Sequence, residues 1–416
     1  MTTFGITFLI VLLTATALRL WLGLRHIGYV RGHRGAVPPQ FSADVTLDAH
    51  QRAADYTAEK TRLGLVSVAV DALLVLWLTL GGGLQLLYDT VGAALSPGLT
   101  RELGFIGALA ALAMLVELPI SIYRTFAVEE KFGFNKMTAG LFAKDLAKGV
   151  ALAVVLGAPF VAGILWVMER LGSYWWLYAW LFMVAFSLAV TFIFPTVIAP
   201  LFNKFSPLED AEIKERVSRL LERCGFRAKG LFVMDGSARS SHGNAYFTGF
   251  GKTKRIVFFD TLLARLDPPE VEAVLAHELG HFKLRHVIKR MVITFAVTFG
   301  FFWLLAFVMT QDWFFAGLGV DSRSTAMALV LLYMVLPFFA LLLQPLSALY
   351  SRKHEFEADR YAAQNASAVD LASALVKLYK DNASTLTPDP VHSAFYDSHP
   401  PALARISRLQ QARQGA

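Results

Sequence analysis

Seven long apolar stretches alternate with polar connections along this chain. Each is long enough for the roughly 20 helical residues that a bilayer crossing needs. They cover residues 4–24, 63–87, 105–123, 150–168, 174–194, 291–310 and 325–349. Between the fifth and sixth lies an insertion, 201–290, with a different pattern. Residues 210–224 repeat their apolar positions at helical spacing. Residues 231–234 and 255–259 are short, rich in β-branched or aromatic side chains, and bounded by glycine or polar residues, as strands are. Between them, Asn244-Ala245-Tyr246-Phe247-Thr248-Gly249 alternates small or polar with aromatic residues, and Phe250-Gly251-Lys252 suits a turn. Asp267-Pro268-Pro269-Glu270 then opens a helix: the aspartate caps, Pro268 fits the first turn, and Glu270 closes a capping box. That helix can run on into the sixth apolar stretch.

The expected fold is therefore mainly α, a polytopic membrane protein with seven transmembrane helices and a small α/β unit. The expected partition is 1–200 for the first five spans, 201–290 for the α/β insertion, 291–350 for the last two spans and 351–416 for a polar C-terminal part. Composition agrees, since 55% of the 416 residues are hydrophobic and only 17% charged, too apolar for a soluble domain. The first stretch is placed like a secretory signal. Met1-Thr2-Thr3 carries no basic side chain, however, and no cleavage site follows, so it reads as a retained span.

Basic residues alternate between connections. Arg25, Arg31, Arg34, Arg52, Lys60 and Arg62 follow span one, and Arg124, Lys131, Lys136, Lys144 and Lys148 follow span three. Only Arg101, Arg170 and Arg323 occupy the loops after spans two, four and six. The positive-inside rule puts the N-terminus outside, and the insertion and C-terminus in the cytoplasm. The net charge of +7 is thus a topology signal, with no nucleic acid implied. A single cysteine, Cys224, excludes an intrachain disulfide or a cysteine-ligated metal. Arg19, Asp71 and Glu117 fall inside spans, where ionisable groups pair with one another or line a hydrated space. A relay for transport is the other reading, but no repeat relates the two halves of the chain.

The strongest chemical signal is His277-Glu278-Leu279-Gly280-His281. Histidines at i and i+4 share one helix face, which is the spacing Zn²⁺ takes from adjacent turns, and the intervening glutamate can reach a water in the fourth position. A third protein ligand must come from elsewhere. Spans six and seven form a hairpin, so His354-Glu355-Phe356-Glu357-Ala358-Asp359 emerges on the same membrane face as the histidines. Glu355 and Asp359 share a helix face, and Glu357 points almost oppositely. Glu355 is assigned as the ligand, and Asp359, one turn on, as acceptor for the free N–H of a zinc histidine. His354 competes for the same metal position. Glu278 serves as general base. His399 and Arg405, late in the chain, either donate to the oxyanion formed from the attacked carbonyl or sit idle on a terminal surface.

Taken in order, these residues resemble the type 1 CAAX prenyl proteases, integral-membrane zinc metalloendopeptidases. The resemblance includes Tyr123-Arg124, Lys131-Phe132-Gly133-Phe134-Asn135, Ser240 to Phe247, Lys254 to Leu263, His277 to His281, Glu355 to Asp359, and His399-Pro400-Pro401 to Arg405. It implies seven helices around a large water-filled chamber, with the metal at its cytoplasmic end. It also implies one zinc ion on His277, His281 and Glu355, with Glu278 as base and Asp359 in support. His399 and Arg405 then lie near the scissile carbonyl, and the segment Asn244, Ala245 and Tyr246 holds the substrate backbone by strand addition. The partners implied are the bilayer and a peptide or protein with a prenylated or apolar C-terminus, from which the last three residues of a Cys-a-a-X sequence are removed.

The compact, Ala/Leu/Arg-rich sequence without a retention signal reads as bacterial, which places it in an inner membrane; in a eukaryote the endoplasmic reticulum is the implied site. A quality-control protease of broader specificity would use the same site. A transporter or scaffold with a structural zinc would differ, because it would tolerate loss of the Glu278 carboxylate.

Overall fold

The computed structural model of the chain describes residues 1–227, 229–248 and 255–414. The expected turn at Phe250-Gly251-Lys252 lies outside the described residues. Seven helical segments among them are long and apolar enough to cross a membrane. The first is α1 (Thr3–Gly32), begun by the Thr2 hydroxyl, which accepts the Gly5 N–H at 3.1 Å. The second is α2 (Leu47–Leu78), which departs from the expected 63–87 at both ends. Thr46 caps a polar first half, and Gly82, at φ 75°, turns the chain into a separate α3 (Gly83–Ala94).

The next three crossings are Leu99–Glu129, Ala139–Arg170 and Gly172–Phe202. They are built from α4 (Leu99–Tyr123), α5 (Ala139–Leu152), α6 (Ala158–Arg170), α7 (Trp175–Ile193) and α8 (Ala199–Phe202).

The insertion contains α9 (Ala211–Arg223), α10 (Asp260–Leu263), α11 (Pro268–Lys283) and a four-stranded sheet of order β1-β2-β4-β3. β2 (Gly230–Met234) pairs in parallel with β4 (Arg255–Phe259). β1 (Phe205–Pro207), too short to read from the sequence, and β3 (Ala245–Thr248) add antiparallel edges. The Phe259 N–H donates to the Asn244 carbonyl at 2.9 Å. Residues 244, 246 and 248 therefore bond to β4, whereas Ala245 and Phe247 turn their backbone groups to the free edge.

α11 does not run on into the sixth span. It ends at Leu284, and Arg285, in the left-handed region at φ 58°, starts a new helix, α12 (His286–Val308). This break frees α11 from the axis of the membrane helix and lets it pack on α9 and α15 instead.

After α13 (Asp312–Gly317), α14 (Thr325–Ala340) and α15 (Gln344–Asn365) join through the tight turn Leu341–Leu343 into one span, Thr325–Asn365. The seventh apolar stretch is thus continuous with the helix that carries Glu355. α16 (Ala368–Asp381), α17 (Pro390–Tyr396) and α18 (Ala402–Gln414) complete the chain.

The membrane helices are sparsely packed. Only 6% of the apolar window of α2 and 11% of Leu99–Glu129 are buried, against 44% of Thr325–Asn365. Their main apolar cluster gathers the start of α1 (Phe8, Leu12), the end of α2 (Leu78), the start of α4 (Phe105), the ends of α6 (Leu165) and α12 (Leu305), and the start of α14 (Met327, Leu331). All of these lie at the end of the bundle away from α11. Helices left bare over most of their length and tied together at one end enclose a chamber rather than pack as a solid bundle. Asp71 is exposed on α2, and Glu117 faces Arg124 at 3.5 Å rather than Arg19. A second core joins α9, β4, α11, α16 and α18 through Val217, Leu220, Ile256, Phe258, Val271, Leu275, Leu371 and Leu409.

Candidate metal centre

α11 is fastened at its start. The Glu270 carboxylate accepts the Asp267 N–H at 2.9 Å, and Lys377 of α16 reaches both acids at 2.8 Å. This is the expected capping box, with an added cation across it. Ten residues on, Gly280 lies against α15. A β-carbon there would come within 3.0 Å of the Ala358 Cα and 3.1 Å of the Tyr361 Cβ. That close approach brings Glu355 and Asp359 under the histidine face of α11.

Three side chains meet there. His277 Nε2 and His281 Nε2 are 3.2 Å apart, and Glu355 Oε2 and Oε1 lie 3.5 and 3.4 Å from them respectively. Zinc bonds of about 2.0–2.1 Å at tetrahedral angles require ligand atoms about 3.3–3.4 Å apart. The two imidazole nitrogens and the two oxygens of one carboxylate thus converge at separations close to those of zinc ligands. Glu355 is 4% exposed, and its Oε2 makes no hydrogen bond, which leaves this buried carboxylate oxygen free to take a cation. The donor set therefore fits a single divalent ion with imidazole and carboxylate ligands.

The other nitrogen of each imidazole is also engaged. His277 Nδ1 lies 2.9 Å from Asp359 Oδ1, and Asp359 is gripped by Arg405 through Nη2 at 2.6 Å and Nε at 2.9 Å. Burial opposes charging of the His277 imidazole. The neighbouring Asp359 and Glu355 carboxylates outweigh it, and in the metal-free protein they hold its pKa up at about 9. His281 Nδ1 lies 3.0 Å from His286 Nδ1, and His286 Nε2 lies 2.9 Å from Glu357 Oε2.

Glu278, His399, Arg405 and Asn244 border a cleft of about 120 Å³ above the ligand atoms, with Ala245 beside Asn244 and with Leu262, Val274, Leu371, Leu375 and Leu378 as its apolar wall. Tyr246 lies one residue along β3, bonded toward β4, and does not line the cleft. The Asn244 side chain accepts the free-edge N–H of Ala245 at 2.8 Å. His399 Nε2 approaches Glu355 Oε2 at 3.5 Å. Its side chain is 62% exposed, but to a cleft walled by protein. Lost hydration therefore holds its pKa below the ordinary value against the Glu355 carboxylate, which raises it, and Arg405 and the paired histidines add to the lowering.

Two alternatives that the sequence left open are closed. His354 is not a competing ligand of this centre: its ring stacks on His286 at 3.9 Å, away from the three converging atoms. Arg405 does not sit idle on a terminal surface: it is buried, with Nε and Nη2 on Asp359, Nη2 also 3.4 Å from His277 Nδ1, and Nη1 3.8 Å from Glu355 Oε2. His286 and Glu357 were not expected here. The one signal in the sequence is a third histidine five residues beyond His281.

The surrounding chain is similar to known proteins over almost its whole length. Residues 26–204 match the family described as CAAX prenyl protease N-terminal, five membrane helices, and residues 207–413 match peptidase family M48. A CAAX prenyl protease 1 homolog of Oryza sativa is 36% identical over 92% of this chain and 93% of its own length. The Homo sapiens homolog is 34% identical over 91% and 89%. Among solved structures, Ste24p of S. mikatae superposes with a TM-score of 0.92 at 29% identity, covering 98% of this chain and 99% of that one. With the membrane half of a CAAX prenyl protease in front of an M48 half that carries a metal-sized triad, the chain belongs to the M48 membrane metalloproteases of the CAAX prenyl protease 1 type.

Proposed function

We propose that this chain is a zinc endopeptidase that cuts near the C-terminus of prenylated or otherwise apolar peptides, at a site on the cytoplasmic side of its membrane. The observation that carries the reading is the convergence of His277 Nε2, His281 Nε2 and the Glu355 carboxylate oxygens, with contacts of 3.2–3.5 Å, beside the free edge of β3.

In this reading His277, His281 and Glu355 hold the ion, which when bound supplies Lewis acidity toward a water and the scissile carbonyl. Glu278, the one acid of the cleft outside the triad among the described residues, takes a proton from the attacking water and delivers it to the leaving amide nitrogen. His399, kept neutral, donates a hydrogen bond toward the carbonyl oxygen as negative charge develops there, and Arg405 Nη1 adds fixed positive charge. Asp359, oriented by Arg405, accepts from His277 Nδ1 and keeps Nε2 free for the ion. The substrate backbone adds as a strand beside Ala245 and Phe247, displacing the Asn244 side chain from the Ala245 N–H. Strand addition reads little side-chain identity, so selection falls to the apolar wall around Leu371 and Leu375 and to lipid on the substrate.

The test uses the purified full-length protein in bilayers, with a farnesylated Cys-a-a-X peptide and its unprenylated twin. Faster cleavage of the farnesylated peptide supports the proposal. Equal rates would assign the same chemistry to a broader set of membrane substrates. Cleavage without stoichiometric zinc would overturn the metal assignment.

A further inference from the structure

Behind His281 runs a line of side chains that the mechanism above does not use. His281 presents Nε2 to His277 and Glu355, so its second nitrogen, Nδ1, faces away from the centre, 3.0 Å from His286 Nδ1. The far nitrogen of His286, Nε2, lies 2.9 Å from Glu357 Oε2. His286 is 1% exposed, clamped by the parallel ring of His354 at 3.9 Å and 5°, which in turn meets the edge of Tyr350 at 4.2 Å. It is the first residue of α12, turned back toward α11 by the left-handed Arg285. A strained backbone residue, a stacked ring and a carboxylate thus converge on one imidazole.

We propose that His286 and Glu357 are positioning residues for the metal ligand His281. Glu357 accepts the Nε2–H of His286, which leaves the His286 Nδ1 lone pair to accept the Nδ1–H of His281. The tautomer and ring angle of His281 are then set, with Nε2 as its only free donor atom. The centre is held from both sides, by Asp359 directly behind His277 and by Glu357 acting through an interposed imidazole behind His281.

The same atoms invite another reading. His286, His354 and Glu357 carry ligand atoms close enough to hold a second cation. Proton accounting argues against it. A neutral His286 that ligates through Nε2 carries its proton on Nδ1. His281, ligating through its own Nε2, carries one there too. Two N–H groups would then face each other at 3.0 Å, with no acceptor between them.

This inference rests on the reading of His281 as a metal ligand. The test is zinc affinity of the full-length protein, measured by competition with a chromophoric chelator, together with metal content per chain. His286→Phe keeps the stack and removes the acceptor; it is expected to weaken zinc binding by about 10- to 100-fold. His286→Asn, which offers a carbonyl acceptor, is expected to recover part of the loss. Glu357→Ala repeats the test without altering the ring, should His286→Phe not fold. Wild-type affinity in both His286→Phe and Glu357→Ala overturns the proposal, as does a second zinc in the wild type that these changes remove. No zinc on the wild type would instead sink the assignment of the centre itself.

Discussion

Gly280 of α11 and Ala358 of α15 touch so closely that a β-carbon on Gly280 would stand 3.0 Å from the Ala358 Cα. The obstacle is backbone, which cannot swing aside. Gly280→Ala is therefore expected to push α15 away and open the His277–Glu355 edge. Overpacking of this kind destabilises by about 1–3 kcal/mol. A lowered melting temperature together with weakened zinc binding checks it, and an unchanged zinc affinity would show that the helix contact does not set the metal geometry.

Glu278→Gln removes the proposed base without touching the three ligand atoms. Turnover is expected to fall by roughly 10²- to 10⁴-fold with the zinc content unchanged. Retained turnover would show that another group takes the proton from the attacking water.

Arg405→Ala strands a carboxylate. Asp359 is 4% exposed and takes two of its hydrogen bonds from this guanidinium. Breaking a buried pair by removing one partner is destabilising on the order of 3–5 kcal/mol. Arg405→Lys restores charge but not the fork, so it is expected to recover only part of the loss. Thermal unfolding of the metal-free protein reads this apart from catalysis, and a melting temperature that Arg405→Ala leaves in place would argue against it.

Zinc loading is expected to rise with pH. The metal-free His277 imidazole has its pKa raised from an unfolded value near 6.5 to about 9. The stabilisation from its charged pairing with Asp359 and Glu355 is fully present below 6.5 and is lost as pH climbs through 9. A cation competes with that proton, so its affinity moves the opposite way. Apparent zinc affinity is expected to gain up to about tenfold per pH unit between 6.5 and 9. A pH-independent zinc affinity over that range contradicts the pairing.

Ala245→Pro removes a backbone N–H that points away from β4, whereas Tyr246→Pro removes one that serves the ladder. The first is expected to leave the fold in place while lowering kcat/KM at least tenfold for peptide substrates. The second is expected to loosen the sheet edge itself. Identical melting and activity in the two variants would contradict the register.

Much of this was legible along the chain because it depends on local periodicity. The apolar stretches announce the spans, and the i, i+4 spacing puts His277 and His281 on one face whatever surrounds them. Asp267 and Glu270 cap their helix within a single turn. Even the return of Glu355 to the histidine side follows from counting crossings. Other features were out of reach. The end of α11 looked continuous with the sixth span, because nothing in the amino-acid pattern marks Arg285 as left-handed. The extension of α2 back to Leu47 uses polar residues that no hydropathy window selects.

The sequence by itself determined which residues could bind a cation and which segments enter the membrane, since both follow from side-chain chemistry and from spacing within an element. Only the tertiary structure decided that the ligand atoms close to 3.2–3.5 Å, that Arg405 grips Asp359, and that His286 stands behind His281. Those distances arise where helices far apart in sequence press together at Gly280, and contact across such a gap is set by packing of the whole fold rather than by the pattern of any one helix.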